Sequence, residues 1–486
     1  MRFRTRRAAL ALALLLAPPP LAPTGAASER PAAERPALGW LRLEDGDRPN
    51  VLLITVDTLR ADHVGRSARF PESFTPKLDA LAKDSTVFRD ASTTATATRP
   101  AIASLLTGLY PGRHPVRNNQ DKVDDSAFLL TEGLARAGYT TASFYGNEVI
   151  GEKSGLQQGV ATKDGFARYF GSSDEAIATR AIDWLRGRGR DDAPFFLWLH
   201  MMDPHGPYFS APASAREQVP RDDGLPGKKL EAAKGNYGLG VLPRYQLLRS
   251  ARDAKTYRWR YRAEVRWTDE QIGRVLAALD EMDLRGTTLV IVTADHGESL
   301  GEHEAYFQHG WNVFQPSAHV PLLFRQPGRI EAGRTIDTPV SLVDVLPTLQ
   351  HGLALAPIPG VEGRDLSPLL HGAKDTGAPV FVLSACPNEL VAVREGKLKL
   401  VHTPLPSRKA GRKWPFEPPG WRLYDLEKDS GELRDVSSER PEDRKRLRSL
   451  VRAWRKEHGS ERATPRSPKP LDPGDEERLR QLGYID

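Results

Sequence analysis

The sequence predicts an α/β fold built around a mostly parallel sheet, and three apolar segments are the main reason. Each is a continuous run of β-branched, aromatic and leucine residues, which is typical of a strand buried on both faces of a parallel sheet. These predicted strands are residues 50–56, 194–200 and 287–293. Helical patterns alternate with the strands, and that alternation favours this fold class. The predicted helices are residues 75–83, 101–109, 129–137, 176–186 and 263–282.

The N-terminal segment, residues 1–27, is expected to be a secretory signal peptide. A basic start (MRFRTRR) precedes a short apolar run and then small residues, which is the order found in such signals. The apolar run is short for a bilayer span, although a retained N-terminal anchor is the alternative. Residues 28–48 are polar and contain proline, which predicts a linker. We therefore expect a secreted or periplasmic protein of a bacterial envelope, with no membrane span after removal of the signal.

The composition excludes some functional classes. The formal net charge is +6, but four arginines lie in the expected signal peptide, which leaves +2 for the rest of the chain. This balance does not indicate a nucleic-acid partner. Cys386 is the single cysteine, so no internal disulfide is possible. An exported protein without disulfides fits a bacterial envelope.

Two further regions differ from the predicted α/β core, which covers residues 49–374. Residues 210–258 are polar and lack clear periodicity, which indicates an insertion near the site that shapes the substrate pocket. From residue 375 the pattern changes to short strands, followed by a charged helix near residues 441–458 that starts with proline. Residues 375–486 are therefore predicted to form a small C-terminal α+β subdomain.

Polar, potentially reactive side chains follow each of the three predicted strands. Asp57 follows the first strand, His200 ends the second with His205 just beyond it, and Asp295 and His296 follow the third. Ligands bind at the carboxyl ends of the strands in open α/β sheets. These residues are therefore predicted to form a single site.

Three of these residues are candidate metal ligands. Asp57 and Asp295 each offer a hard carboxylate oxygen, and His296 offers an imidazole nitrogen. A mixture of these donors suits Zn²⁺, Mn²⁺ or a cation of mixed preference. The alternative for Asp57 is a structural role as a cap of the following segment, because aspartate is favoured there.

Three histidines are candidates for contact with the substrate. His205 lies in a loop flanked by proline and glycine, and His309 follows a glycine-rich, acidic stretch. An imidazole there can ligate a metal, donate a proton to a leaving group or pair with an oxyanion. His200 is a candidate substrate-binding residue, and its alternative is a buried structural histidine.

Thr98 is a candidate nucleophile. It precedes Pro100 and an apolar helical face, and proline is accepted in the first turn of a helix. The N-terminus of a helix attracts anions such as phosphate or sulfate and would stabilise a threonine alkoxide. The alternative is that Thr98 serves only as the N-cap of this helix.

Several ordered motifs resemble the sulfatase family. They are VDTLRADH, ASLLTGLYP, MDPHGPY and TADHGESLGEH, followed by VSLVDVLPTL, LYDLEKDSGE and the terminal LRQLGYID. The resemblance extends over about residues 48–486. It implies an alkaline-phosphatase-like core, a small C-terminal subdomain, and a divalent metal held by Asp57, Asp295 and His296.

The sequence departs from this family at the nucleophile. Sulfatases carry a formylglycine made from Cys or Ser in a Cys/Ser-x-Pro-x-Arg pattern, whereas this chain reads Thr98-Arg99-Pro100-Ala101-Ile102. Ile102 takes the place of the arginine, and Arg99 or Arg113 is expected to replace the missing cation. The Lys-Trp-His segment of many arylsulfatases is also absent, because the comparable stretch reads SFYGNE.

Relatives in the wider superfamily use threonine as the nucleophile. They include nucleotide pyrophosphatases/phosphodiesterases, phosphoethanolamine transferases and lipoteichoic acid synthases. The similarity to them implies that Thr98 joins the metal ligands and that His205 and His309 bind the substrate phosphoryl group.

We therefore expect a hydrolase of phosphate or sulfate esters that uses a divalent cation (Ca²⁺, Mn²⁺, Zn²⁺ or Mg²⁺) and Thr98 as the nucleophile. His205 is expected to protonate the leaving group, and His309 to stabilise the transferred group. The substrate would be an anionic ester of a small molecule or glycan. One alternative is a transferase that passes a phosphoryl headgroup to an envelope glycan or lipid, and another is a non-catalytic homologue that binds anionic glycans.

Overall fold

The computed structural model describes residues 37–66, 70–165, 173–189, 192–235, 239–249, 251–375, 377–384, 389–405 and 418–459. The expected signal peptide, residues 28–36 of the candidate linker 28–48, Cys386 and the terminal LRQLGYID motif lie outside the described residues.

The described strands belong to one large sheet and three smaller ones. Strands β1 to β9 are Asn50–Val56, Thr86–Ser92, Thr140–Tyr145, Thr162–Gly165, Phe195–Met201, Glu231–Ala232, Val241–Leu242, Thr288–Ala294 and Ser299–Leu300. Strands β10 to β17 are Tyr306–Gln308, His319–Arg325, Arg334–Ile336, Val340–Ser341, Val380–Leu383, Val391–Glu395, Leu398–Thr403 and Gly420–Asp425. Helices α1 to α10 are Pro76–Lys83, Thr98–Thr107, Leu130–Arg136, Ser173–Arg186, Ala213–Glu217, Ala254–Glu281, Gln315–Ala318, Val345–Gly352, Ser367–Leu370 and Pro441–His458.

The large sheet has the strand order β12-β2-β11-β8-β1-β5-β3-β4, with β13 beside β2. Strand β11 is antiparallel to both of its neighbours, and the other pairs are parallel. The three predicted strands became β1, β5 and β8, which are neighbours at the centre of this sheet. All three are buried along nearly their whole length. The predicted α/β class with a mostly parallel sheet is therefore confirmed.

The predicted helices have counterparts in α1, α2, α3, α4 and α6, with some changed ends. Helix α6 begins at Ala254 rather than at residue 263, because the side chain of Asp253 accepts a hydrogen bond from the backbone N–H of Thr256 at 3.1 Å and caps the helix there. Residues 254–258 of the expected insertion therefore belong to α6. Helix α2 begins at Thr98 rather than at residue 101, since Ala97 is its N-cap.

Strand β11 (HVPLLFR) was missed by the sequence analysis, and Pro321 explains why. Proline lacks an N–H for the ladder and argues against a central strand unless a bulge accommodates it. The register between β11 and β2 shifts between Val320 and Leu322, on either side of this proline. The Pro321 carbonyl still accepts a hydrogen bond from the Thr293 hydroxyl of β8 at 2.7 Å.

The C-terminal region contains a four-stranded antiparallel sheet in the order β14-β15-β16-β17. One face packs against α10 through a cluster that includes Leu400, Val451 and Trp454. Another cluster joins Val382, Val401 and other residues of the sheet to the 313–318 segment that follows His309. The predicted small C-terminal α+β region is present, and it contacts the α/β core through the segment that follows His309. In the part of the chain that the structure describes, no helix has the length and apolar character needed to cross a membrane.

Candidate metal centre and active site

The carboxyl ends of β8, β1 and β5 bring the first candidate residues together. Strand β1 lies between the other two, with Val56 opposite Ala294 of β8 and Thr55 opposite His200 of β5. Asp57 and Asp295 are the next residues along their strands, so both carboxylates emerge at one level beside His200. The pairing register of the three strands therefore places these strand-end residues side by side.

The cluster has the character of a cation site. Asp57, His200 and Asp295 are fully buried, and one ligand atom from each lies within 4.8 Å of the others. Among the described residues, Asp57 Oδ1, His200 Nε2 and Asp295 Oδ2 find no hydrogen-bond partner. Buried polar atoms without partners are costly unless a ligand satisfies them. These residues therefore fit the divalent metal that the family resemblance implies.

His296 completes the inner face of this cluster. Its Nε2 lies 3.4 Å from Asp295 Oδ2 and 3.7 Å from Asp57 Oδ1. The opposite ring nitrogen, Nδ1, donates to the Gly297 carbonyl at 3.0 Å, which leaves the lone pair on Nε2 directed at the carboxylates. This arrangement is that of a neutral imidazole ligand, because a neighbouring carbonyl fixes the tautomer.

The second oxygen of each carboxylate is occupied by the surrounding protein. Asp57 Oδ2 accepts a hydrogen bond from Asn147 Nδ2 at 3.1 Å. Asp295 Oδ1 accepts from the backbone N–H groups of His296 at 2.7 Å and Thr58 at 3.3 Å. Each carboxylate is thereby oriented with one oxygen toward the centre.

The two carboxylates titrate in opposite directions. Burial raises the pKa of Asp295 well above its usual value, and the charge of Asp57 raises it further. Burial acts in the same sense on Asp57, but His205, His200 and His296 outweigh it and hold the pKa of Asp57 below its usual value. Two carboxylates this close resist being charged together without a cation, which is a further reason to place one here.

Thr98 lies beside this cluster as the first residue of α2. The N-cap position belongs to Ala97, whose backbone is extended, so the alternative in which Thr98 only caps the helix does not hold. The Thr98 side chain is buried, and its Oγ1 is 3.4 Å from His296 Nε2. The hydroxyl thus lies at a helix N-terminus and next to the candidate ligands.

His205 and His309 lie on the same side of the cluster. Their ring centroids are 5.0 Å apart, and the His309 ring is 4.5 Å from that of His296. His205 Nδ1 donates to the Gly206 carbonyl at 2.7 Å. Burial lowers the pKa of His205, although the charge of Asp57 opposes the effect.

Glu298 controls the charge of His309. Glu298 is fully buried, accepts from His309 Nδ1 at 3.1 Å and accepts from the Tyr208 hydroxyl at 3.1 Å. Burial alone would lower the pKa of His309, but the charge and hydrogen bond of Glu298 reverse this and raise it. His309 therefore favours its cationic form, which suits contact with an anionic group.

The contacts of Arg99 and Arg113 lead away from the cluster. Arg99 donates to the backbone carbonyls of Val149 and Asp121, both at 2.7 Å. Arg113 is half-exposed, and its Nε is 3.9 Å from Glu362 near the C-terminal helix. Ile102, which stands where the family has an arginine, is fully buried. Neither Arg99 nor Arg113 supplies the missing positive charge in this arrangement. The proposed site therefore includes neither arginine.

Two residues of the site were not singled out by the sequence analysis. Asn147 follows β3, and a polar residue after a strand end is the signal that could have identified it, had β3 been recognised. Tyr245 belongs to the expected insertion, and its ring lies 6.2 Å from that of His205. A loop without periodicity gives no indication of which of its residues faces a site.

The comparisons with known proteins agree with this geometry. The sulfatase family model matches residues 49–353, so the chain belongs to the sulfatase family. Its relatives include an ulvan-active sulfatase of Formosa agariphila, 27% identical over 67% of this chain and 66% of that protein. A choline-sulfatase of Rhizobium meliloti is 27% identical over 80% of this chain and 82% of its own length. Family membership confirms the expectation of an ester hydrolase, and members of this family bind a divalent metal.

A solved structure shows the same fold. The phosphonate monoester hydrolase of Agrobacterium radiobacter superimposes with a TM-score of 0.67 at 24% identity, covering 85% of this chain and 96% of that one. At this level of identity the similarity establishes the alkaline-phosphatase-like fold but says nothing of the substrate.

Proposed function

We propose that this protein is a metal-dependent hydrolase of charged sulfate or phosphate esters that uses Thr98 as its nucleophile. The observation that carries the proposal is the position of the Thr98 hydroxyl, 3.4 Å from His296 Nε2 at the buried start of α2. The similar proteins include sulfatases and a phosphonate monoester hydrolase. Sulfate, phosphate and phosphonate esters share a tetrahedral anionic centre. The proposal therefore concerns binding of, and attack on, that centre.

The residues that would hold the divalent cation are Asp57, Thr98, Asp295 and His296. When bound, such a cation polarises ester oxygens and lowers the pKa of a coordinated hydroxyl. The unpartnered oxygens of Asp57 and Asp295, in the described part of the chain, support this assignment.

The chain's own residues would carry the remaining steps. The N–H groups at the start of α2 attract the anionic group, and the protonated His309 balances charge on its non-bridging oxygens. Thr98 Oγ1 would lose its proton to solvent and attack the sulfur or phosphorus in line with the leaving oxygen, so that one bond forms as the ester bond breaks. His205, which takes up a solvent proton at Nε2, would pass it to the leaving oxygen and return to its neutral form. Water would then attack the same centre and break its bond to Thr98 Oγ1, and a proton from that water would restore the hydroxyl.

Substitution of the nucleophile tests the proposal most directly. Thr98→Ala should lower kcat for the best substrate by at least about 1,000-fold, because the covalent route is lost while binding groups remain. The assay uses an aryl sulfate, a phosphate monoester, a phosphodiester and a phosphonate monoester with each divalent cation in turn. Thr107→Ala is the matched control, since Thr107 lies at the other end of α2 and donates to the Ala103 carbonyl at 2.6 Å.

Three results would contradict the proposal. Unchanged turnover in Thr98→Ala would remove Thr98 from the mechanism. Absence of turnover in the unmodified protein on the whole panel, together with tight binding of sulfated glycans, would favour the binding-protein alternative. Transfer of the phosphoryl headgroup only to an added alcohol would instead indicate the transferase alternative.

A further inference from the structure

His200 is the residue of the cluster whose role the proposed function does not use. From the sequence, two roles for His200 are open: a substrate-binding residue or a buried structural histidine. It is fully buried at the end of β5, and its Nε2 is 3.6 Å from Asp57 Oδ2. In the described part of the chain, Nε2 has no hydrogen-bond partner, and it lies within 4.8 Å of carboxylate oxygens of both Asp57 and Asp295.

A hydrogen-bond network on β1 and β5 holds His200 Nδ1. The Thr55 hydroxyl oxygen accepts from Trp198 Nε1 at 3.0 Å and lies 3.3 Å from the Leu199 carbonyl oxygen. It also lies 2.8 Å from His200 Nδ1. Because Nδ1 is engaged by Thr55, Nε2 is the ring nitrogen left on the side of the carboxylates, 3.6 Å from Asp57.

Two histidines border the same pair of carboxylates. Asp57, His200 and Asp295 each offer one ligand atom, and these atoms lie within 4.8 Å of one another. The remaining heteroatom of each of these side chains, and of His296, is held by Thr55, by Asn147 or by backbone groups. The separations of 3.4 and 3.7 Å between His296 Nε2 and the carboxylate oxygens are in the range expected for two ligands bound at about 2.0–2.2 Å to one cation. Two of the four donors are imidazole nitrogens.

We propose that His200 is a metal ligand and that the resulting set of two carboxylates and two imidazoles selects Zn²⁺, followed by Mn²⁺, over Ca²⁺ and Mg²⁺. The physical reason is that Ca²⁺ and Mg²⁺ take nearly all-oxygen shells, whereas imidazole favours the later first-row cations. This inference rests on the metal site of the proposed function and adds a ligand and a preference to it.

Metal binding by the untagged protein, stripped with a chelator, tests this without any assay of activity. Isothermal titration with Zn²⁺, Mn²⁺, Ca²⁺ and Mg²⁺ should give a Kd for Zn²⁺ at least about 100-fold lower than that for Ca²⁺. His200→Asn should weaken Zn²⁺ binding by about 10- to 100-fold and change Ca²⁺ binding little, because an amide oxygen replaces the imidazole. His319→Asn is the control, since His319 is partly exposed on β11 and bonds to the Arg89 carbonyl.

X-ray absorption of the zinc-loaded unmodified protein gives a second measurement that needs no variant. Scattering from two imidazoles is expected, and scattering from one would overturn the inference. Tighter binding of Ca²⁺ than of Zn²⁺, or equal Zn²⁺ affinity in His200→Asn and the parent, would do the same. Selective Zn²⁺ binding by a protein that hydrolyses nothing would support the inference while the proposed function fails, so the two failures are distinguishable.

Discussion

Two neighbouring histidines of the site, His296 and His309, differ in pKa because of the groups around them. The rings of His296 and His309 lie 4.5 Å apart, yet their titrations diverge. Burial and, to a smaller extent, the neighbouring His309 lower the pKa of His296 to about 3. Glu298 raises the pKa of His309 instead. Opposed shifts in adjacent groups are a common way to assign an acid and a base, and here they favour a neutral ligand beside a cationic anion-binding group.

His114 gives a prediction at this scale, away from the site. It is buried against Ser104 of α2, with Nε2 and the hydroxyl oxygen 2.9 Å apart, and burial lowers its pKa from 6.5 to about 3. At pH values below about 6.5, His114 binds a proton in the unfolded chain but stays neutral in the folded protein. The contribution of His114 to the free energy of unfolding is therefore fully present above that pH and is lost as the pH falls. The expected slope is roughly 1 kcal/mol per pH unit between pH 6 and about 4.

Urea unfolding of the parent and of His114→Asn at several pH values measures this slope. The variant should be less stable at neutral pH and should lose less stability on acidification. Parallel curves for the two proteins would show that His114 does not carry the effect.

At the scale of elements, the expected insertion braces the two loops that carry His205 and His309. Tyr245 and Gln246 both donate to the carbonyl of Phe307, at 3.2 and 3.0 Å. Phe307 has a φ of 55°, an uncommon backbone conformation for a bulky residue. Gln246 also packs on Gly206, where an added Cβ would lie 2.0 Å from its amide nitrogen. The close approach requires glycine at this position.

Gly206→Ala should therefore displace the Gln246 side chain and release its bond to Phe307. We expect kcat/KM to fall by about 10- to 100-fold, because small displacements of catalytic groups cost that much, with metal affinity retained. Steady-state kinetics and metal titration of the same preparation measure both. Gly286→Ala is the control, since an added Cβ there meets nothing within 4 Å. Full activity in Gly206→Ala would mean that the insertion does not position these histidines.

At the scale of the whole molecule, a buried ion pair connects the C-terminal sheet to the active-site loop. Lys399 of β16 and Glu432 are both almost fully buried and lie 2.7 Å apart. Lys399 Nζ also donates to the Val313 carbonyl at 2.7 Å, and Glu432 accepts from the Gln315 backbone N–H at 2.6 Å. These contacts hold the segment that directly follows His309.

Lys399→Met should cost about 3–5 kcal/mol of unfolding free energy, because it leaves the Glu432 carboxylate buried without its cation. Denaturant unfolding of the full chain measures the loss. Lys122→Met, in an exposed pair with Asp125, should cost less than about 1 kcal/mol. The double variant Lys399→Met with Glu432→Gln should recover part of the loss. A cost for Lys399→Met as small as that of the exposed control would show that the pair does not stabilise the contact between the two regions.

The sequence by itself determined the fold class and most of the proposed metal ligands. Strands β1, β5 and β8 are long, uninterrupted apolar runs, and only burial on both faces accounts for such runs. A residue that directly follows such a strand must lie at the carboxyl edge of the sheet. Asp57, Asp295 and His296 could therefore be chosen by position alone.

Only the tertiary structure decided the contacts of His200, Arg99 and Asn147. The partner of His200 Nδ1 is Thr55, which lies 145 residues away in the chain and becomes its neighbour only when β1 pairs with β5. The Arg99 side chain turns to carbonyls in the 121–149 region, and Asn147 reaches Asp57 across the sheet. Periodicity and motif spacing record burial and local conformation. Which side chain satisfies which buried donor or acceptor is set by contacts between distant segments, and these exist only in the folded protein.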